Sequence, residues 1–342
     1  MTGAVLLPAL LALGSVGMQW EPQTSGTSVR LRGVSAVDGR VAWASGDKGT
    51  FVRTTDGGKT WTAGTVPGAE ALDFRDVDAF SASTAYLLSI GEGDKSRIYK
   101  TVDGGKSWKL QFTNATPGAF FDGMAFWDEK NGIAFSDPVD GRFLLVATTD
   151  GGAHWKPVPA KALPPALPKE AGFAASGTSI AVLDKGHVWF GMGGPAARVL
   201  HSADRGRTWT VASTPLATGE GAGVFSLLFW SEREGIAVGG NYKSPEEKSG
   251  NLALTRDGGK TWSPPTGERP AGYRSCVARV RTGKGTALVA VGPSGSDVST
   301  DGGQGWSPLG TQGFHALSAA RSVPVAWAVG EEGRIAALRP AK

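Results

Sequence analysis

The sequence predicts an all-β fold, a seven-bladed β-propeller, on three observations. A short motif recurs along the chain, strand-like runs flank every copy, and the two ends together supply the parts of one more repeat. The motif Ser/Thr-x-Asp-x-Gly-x-x-Trp occurs at Thr54–Trp61 (TTDGGKTW), Thr101–Trp108 (TVDGGKSW), Thr148–Trp155 (TTDGGAHW), Ser202–Trp209 (SADRGRTW), Thr255–Trp262 (TRDGGKTW) and Ser299–Trp306 (STDGGQGW). Successive tryptophans lie 47, 47, 54, 53 and 44 residues apart. A period of about 45–50 residues in a β-rich chain is the spacing of propeller blades, with one four-stranded sheet per repeat. Composition agrees with this reading. Of 342 residues 51 are Gly, with no G-X-Y period, so tight turns are many. The 12 Trp are nearly as numerous as the 14 Phe, which suits short strands joined by large apolar contacts. No stretch sustains a helical period.

Each motif follows a strand-like run, such as Gly49–Thr54 or Ser96–Thr101, and precedes another that starts at its Trp. It therefore reads as a hairpin turn. Its Asp carboxylate accepts backbone N–H groups, as in an Asx-turn, and its glycines take positive φ. Its Trp packs between sheets. Asp56, Asp103, Asp150, Asp204, Asp257 and Asp301 are accordingly structural. A residue repeated six times around a ring does not make one asymmetric centre. One carboxylate per turn is also too few oxygens for a calcium loop, so no metal and no cofactor are expected.

The seventh blade is composite. Phe314–Ser318, Val325–Val329 and Gly333–Leu338 repeat the rhythm of Leu31–Ser35, Val41–Ser45 and Gly49–Thr54, then stop where an outer strand is due. Gln19–Gln23, with Trp20, resembles the missing strand. Pairing it with the C-terminal three closes the ring and removes two free sheet edges. Residues 18–342 are thus expected to form one domain. The Pro-rich stretch Lys156–Lys169 and the polar Asn241–Asn251 read as loops of that domain and not as linkers.

Ahead of it, Ala4–Val16 is an apolar run followed by small residues, in the manner of a signal peptide over residues 1–17, although a basic leading region is missing. A buried strand or short helix is the bland alternative. Thirteen apolar residues are too few to span a bilayer, and no other run is long enough. Export to a periplasmic or extracellular compartment is the expectation. The formal charge of +4 comes from Lys and Arg scattered along the chain, which gives no nucleic-acid footprint. Cys276 is the single cysteine, which excludes an intrachain disulfide, and it reads as a small apolar residue on a buried strand. A monomer is expected.

Departures from the repeat point to a site. The starts of the innermost strands align as Leu31-Arg-Gly-Val34, Phe74-Arg-Asp-Val77, Phe121-Asp-Gly-Met124, Ala174-Ala-Ser-Gly177, Val224-Phe-Ser-Leu227, Tyr273-Arg-Ser-Cys276 and Phe314-His-Ala-Leu317. The residue after the leading position is often polar, which brings Arg32, Arg75, Asp122, Arg274 and His315 to one mouth of the channel, with Asp76 beside Arg75 and Ser176 and Ser226 nearby. The arginines can clamp a carboxylate or phosphate, or pair with Asp76 and Asp122 as structural ions. His315 reads as a proton donor or as a hydrogen-bonded channel residue. Glu170 and Glu220 overhang the mouth or face solvent. Four Gly- and Pro-containing loops, Ser136–Gly141, Gly191–Pro195, Gly239–Tyr242 and Val291–Asp297, leave on the same face. They offer Asn241, Tyr242, Ser294 and Asp297 as polar handles.

The six turns resemble the Asp-box, or bacterial neuraminidase, repeat. The longer pattern, best seen in Leu31–Trp61 and Phe74–Trp108, looks like the family of the photosystem II stability and assembly factor and its relatives in non-photosynthetic bacteria; blades four and six match less well. That resemblance implies an exported propeller acting as a binding or assembly-assisting protein, with a protein partner. The basic patch by which photosynthetic members hold a membrane-protein partner has no position-by-position match here. Asp-box propellers also include sialidases and other glycoside hydrolases, which makes an anionic or carbohydrate ligand the alternative. A sialidase-like site would clamp a carboxylate with the three arginines and use Tyr273 or Tyr242 as nucleophile, a two-carboxylate glycosidase would use Asp76 and Asp122, and His315 is a further catalytic candidate. Against it stand the missing Arg-Ile-Pro motif, a blade count of seven instead of six, and no evident Tyr–Glu pair. No dinucleotide-binding Gly-rich loop is present. Binding without catalysis is the leading expectation. Arg32, Arg75, Asp76, Asp122, Tyr242, Arg274 and His315 are its ligand-binding candidates.

Overall fold

The computed structural model describes residues 17–341 except residue 284. The apolar leader, residues 1–16, lies outside the described residues. The chain forms seven antiparallel four-stranded sheets. The first contains Leu31–Ala36, Ala42–Gly46, Thr50–Thr54 and Thr62–Thr65, and the second Asp73–Ala79, Ala85–Ile90, Arg97–Thr101 and Lys109–Thr113. The third contains Phe121–Phe126, Gly132–Ser136, Leu145–Thr148 and Lys156–Pro157, and the fourth Ile180–Leu183, His187–Gly191, Arg198–Ser202 and Thr210–Ser213. The sixth is built from Cys276–Thr282, Gly285–Gly292, Gly295–Ser299 and Ser307–Gly310.

The fifth sheet departs from the repeat. It holds Gly219–Phe229, Gly235–Asn241 and Leu252–Thr255, but its fourth member is the short pair Gly193–Gly194, on the inner side. After Trp262 the expected outer strand is reduced to one bridge between Leu254 and Ser263. Pro264 and Pro265 follow at once, and without N–H donors they cannot extend the ladder.

The seventh sheet joins the two ends. Met18–Gln23 pairs antiparallel with Ile335–Pro340, in register from Met18 opposite Pro340 to Gln23 opposite Ile335. Ala326–Val329 and Ala316–Ala319 complete it. Trp20 tilts against Phe314 at 4.8 Å between ring centroids, and Trp61 Nε1 donates to Gln23 Oε1 at 2.9 Å.

Each sheet's first strand contacts that of the next, and the seventh sheet contacts the first, so the sheets form a closed cycle. The apolar core is correspondingly divided into clusters between consecutive sheets. Val34, Val52 and Trp61 pack with Trp327 and Ile335 between the first and seventh, and Cys276, Val289 and Val298 pack with Phe314 and Leu338 between the seventh and sixth. The repeated tryptophans lie in these seams, as Trp108 does against Trp43 and Phe51 of the preceding sheet, at 6.1 and 5.1 Å.

In all six turns the opening Ser or Thr hydroxyl donates to the Asp and accepts a Gly N–H, and the Asp accepts the N–H four residues on; a side-chain hydroxyl adds to this in four of them. In the first, Asp56 Oδ1 accepts the Thr60 N–H at 3.0 Å, and Oδ2 accepts the Thr60 hydroxyl at 2.6 Å. Thr54 Oγ1 donates to Asp56 Oδ1 and accepts the Gly58 N–H, both at 2.9 Å. The opening Ser/Thr is therefore as much a part of the turn as the Asp, a role the sequence reading had not assigned. Gly57 and Gly58 both have positive φ, near 80°. Thr60 is the main reason the Asp56 carboxyl is held at about 2.

The inner ring has its own device. A strand at the channel leaves N–H groups without ladder partners, and side chains from the preceding sheet accept several of them. Ser35 Oγ takes the Ala79 N–H at 3.1 Å, Asp76 Oδ2 that of Met124 at 2.8 Å, and Asp78 Oδ2 that of Phe126 at 3.1 Å. Ser226 Oγ takes that of Val277 at 3.1 Å, Cys276 Sγ that of Leu317 at 3.4 Å, and Ser318 Oγ that of Ala36 at 3.0 Å. Buried backbone donors need acceptors, and this chain of contacts supplies them while fixing each sheet to its neighbour. Cys276 is buried, as its apolar surroundings predict, and its sulfur is also one of these acceptors.

Candidate functional site

A cavity of about 580 Å³ opens at one end of the channel. Its lining includes Arg32, Arg75, Asp122, Tyr242, Tyr273 and His315 of the sequence-derived candidates. Three of them reach it by the same local geometry. The pairing of the first and second strands shifts register between Leu31 and Gly33, between Phe74 and Asp76, and between Phe121 and Gly123. Arg32, Arg75 and Asp122 are the extra residues at those shifts. A bulged residue is left out of the ladder and re-aimed, here into the cavity. The fifth sheet shifts likewise between Val224 and Ser226, and the residue it re-aims is Phe225.

Three guanidinium groups share the cavity. Arg30 is paired, its Nε 2.8 Å from Asp47 Oδ2. Arg32 and Arg75 are not. Arg32 Nη2 donates to the Ala175 carbonyl at 3.1 Å and Arg75 Nη1 to the Ala174 carbonyl at 3.0 Å. Among the described residues neither has a carboxylate partner, and the Nε of each is buried without an acceptor. Burial, then the charges of Arg75 and Arg30, lower Arg32 to about 9. Burial first and Arg30 second lower Arg75 as well. Two cations are thus held close together in a partly desolvated space, an arrangement that an anion relieves.

His315 lies beside them, its Nε2 2.7 Å from Glu331 Oε1. Burial and the Arg32 charge outweigh that carboxylate and hold the imidazole at about 4, so it is neutral at pH 7. It adds hydrogen-bonding capacity to the mouth and no charge.

Two carboxyl groups complete the polar lining. Asp122 is 1% exposed, and its Oδ2 has no hydrogen-bond partner among the described residues. Burial and the neighbouring Asp137 raise its pKa well above the ordinary range. Asp137 Oδ1 accepts the Gly172 N–H at 2.6 Å. Burial, the largest influence on Asp137, lifts it to about 6. At about 6, Asp137 carries its negative charge at pH 7.

The remaining wall is aromatic. Phe173 and Phe225 stack with centroids 3.8 Å apart at 17°. Tyr273 meets Phe225 edge-on at 4.7 Å, and Tyr242, 51% exposed, meets it at 6.3 Å.

The other candidates lie elsewhere. Arg274 is 1% exposed and bonded to Asp297, with Nε and Nη2 at 2.6 and 2.5 Å from Oδ2. It also donates to Ser294 Oγ at 3.1 Å. Asp76, 5% exposed, is an inner-ring acceptor and does not line the cavity. Glu170 is buried against Arg198 at 2.5 Å, whereas Glu220 is exposed and paired with Lys243. Asn241 caps its own loop through the Lys243 N–H. Ser176 and Ser226 sit deeper, linked through Thr178 by two 2.7 Å contacts. The repeated turn aspartates stand in the turns that follow the third strands and do not line the cavity. Among the described residues no cluster of three or more His, Cys, Asp or Glu could hold a metal, and no helix is long and apolar enough to cross a membrane.

Asp137, Arg30, Phe173 and Phe225 escaped the sequence reading. Phe225 holds the same position as Arg32, after the leading bulky residue, but as an apolar side chain it does not stand out from the repeat there. Asp137 stood in the flagged loop Ser136–Gly141 without being singled out.

A closed cycle of four-stranded sheets with a ligand-sized cavity at one end of its channel is a β-propeller. No family model matches the sequence, and no curated protein matches it. Solved structures do resemble it. YCF48 bound to D1 peptide aligns with a TM-score of 0.64 at 16% identity, over 94% of this chain and 96% of that one. The WD40 β-propeller domain of Doa1 aligns with a TM-score of 0.65 at 12% identity, over 94% and 97%. At these identities the likeness establishes the fold.

Proposed function

We propose that this protein is a seven-bladed propeller of six Asp-box blades and one composite blade, exported as a monomer, that binds a carboxylate-bearing segment of a polypeptide partner at the channel mouth. The observation that carries the reading is the pair Arg32 and Arg75, two guanidinium groups that have no carboxylate partner among the described residues, beside an aromatic wall. Paired guanidinium forks suit a carboxylate, and Phe173, Phe225 and Tyr242 suit the apolar side chain next to it. The cavity falls in the range of about 300–1,000 Å³ usual for ligand pockets. A fold neighbour solved with a bound peptide supports a polypeptide occupant.

Hydrolysis has less support. Asp76 and Asp122 do not open on a common space. The Tyr273 phenol is raised by burial, the opposite of an activated nucleophile.

The test is calorimetric binding of peptides that end in a free carboxylate or in its amide. The acid form binds more tightly, and Arg32→Gln or Arg75→Gln abolishes the difference. Equal binding of acid and amide overturns the reading. Export is tested by expressing the chain in a bacterial host and sequencing the N-terminus of the recovered protein. Processed chains near Gly17 outside the cytoplasm support it, and an intact Met1 inside opposes it. Sedimentation at micromolar concentration tests the monomer.

A further inference from the structure

The same cavity leaves a negative group unpaired as well as two positive ones. Asp137 has no Lys, Arg or His partner among the described residues. Among the described residues its carboxylate accepts the Gly172 N–H, and the cavity's other carboxyl, Asp122, has a buried oxygen without a partner. Cations and carboxylates that line one cavity ordinarily pair with each other, since an unpaired buried charge is strongly unfavourable. Here Arg32 and Arg75 turn to the carbonyls of Ala175 and Ala174, and Asp137 turns to Gly172.

We infer that the mouth is a two-pole site for a zwitterionic peptide end, with the terminal carboxylate on Arg32 and Arg75 and a cationic group, a lysine ammonium or an α-amine, on Asp137. The inference rests on the carboxylate reading above and adds the second pole. The Gly172 N–H holds Asp137 Oδ1, which leaves its second oxygen for a donor from the ligand. The wall of Phe173, Phe225 and Tyr242 takes the apolar part between the poles. A ligand of this kind satisfies both charges at once, whereas a simple anion leaves Asp137 facing it. The site therefore discriminates against polyacidic segments, which a cluster of arginines alone would favour.

The test uses three peptides with the wild-type protein: acetyl-Lys-Ala-Phe with a free carboxylate, the same peptide with norleucine in place of lysine, and the lysine peptide as its C-terminal amide. The lysine acid is expected to bind roughly tenfold or more tighter than the norleucine acid, the usual scale of a hydrogen bond to a charged group. Equal affinity of lysine and norleucine acids, with the amide weaker, overturns the second pole and leaves the carboxylate reading standing. Equal affinity of acid and amide overturns the carboxylate reading itself, and absence of binding by all three overturns both. Asp137→Asn should bring the lysine-to-norleucine ratio close to one while keeping the acid-to-amide ratio. Arg75→Gln should do the reverse. Because the first comparison needs no variant, a folding defect in Asp137→Asn does not rescue the inference.

Discussion

Trp20 Nε1 donates to Ser296 Oγ at 3.0 Å, across 276 positions of sequence. The contact fastens the N-terminal strand of the seventh sheet to the third strand of the sixth, so ring closure depends on a residue near the chain's start. Trp20→Ala should lower unfolding free energy by about 2–4 kcal/mol, and Ser296→Ala by about 1 kcal/mol. Urea denaturation checks both, and a double variant should show less than the sum because the two share one contact.

The repeated turn has a polar hinge in its first residue. Thr54→Val removes the acceptor of the Gly58 N–H and the donor to Asp56. A loss of about 1–3 kcal/mol is expected, measured by chemical denaturation. Thr54→Ser, which keeps the hydroxyl, should stay close to wild type, as Ser202 and Ser299 already do the same work in their turns.

Acid and base act on different carboxyls. Burial holds Asp76 and Asp122 well above the ordinary range, Asp78 at about 7 and Asp137 at about 6. Each keeps its proton in the native state after the unfolded chain has lost it. For Asp78 and Asp137 that stabilisation is complete below the ordinary value of 3.8 and is lost as pH rises through about 6 to 7. The turn aspartates have the opposite sign. Asp56, Asp103, Asp204 and Asp257 are held at about 2, so their contribution is present above 3.8 and is lost as pH falls toward 2. The melting temperature should therefore peak between about pH 4 and 6 and decline toward pH 8. Asp76→Asn, which can still accept the Met124 N–H, should flatten the alkaline side of that profile.

Arg274 and Arg75 should separate stability from binding. Arg274→Ala leaves Asp297 buried and unpaired, which should destabilise by about 3–5 kcal/mol. Arg75→Gln removes a cation that has no carboxylate partner, so the melting temperature should hold or rise while carboxylate binding falls. Calorimetric melting and peptide titration on both variants read the contrast.

The repeat made the sheets, their order and the composite closure legible, because one turn chemistry is spelled out six times. The strand after Trp262 was not legible from the motif alone, since Pro264 and Pro265 act after the repeat has ended. The gathering of Arg32, Arg75, Asp122 and His315 followed from aligning the inner strands. The same alignment misplaced Asp76 and Arg274 because it gives the position along a strand and not the side to which a bulge turns a side chain. Asp76 stands one residue past the bulge and therefore points into the seam toward Met124. Arg274 precedes its strand, where Asp297, two strands away in the same sheet, captures it. Asp137 and Phe173 reach the cavity from loops, whose course no periodicity encodes.

The pairing of Met18 with Pro340 also sets how the molecule bears load. Both chain ends leave the seventh sheet at the same end of one antiparallel pair. Tension drawn between the termini separates that pair as a zipper opens, one rung at a time from Met18 and Pro340 toward Gln23 and Ile335. Tethered at one end only, to a surface or a fused domain, the ring bears no such peeling force. Held by both ends and stretched, it would lose its closing strand while the other six sheets were still intact.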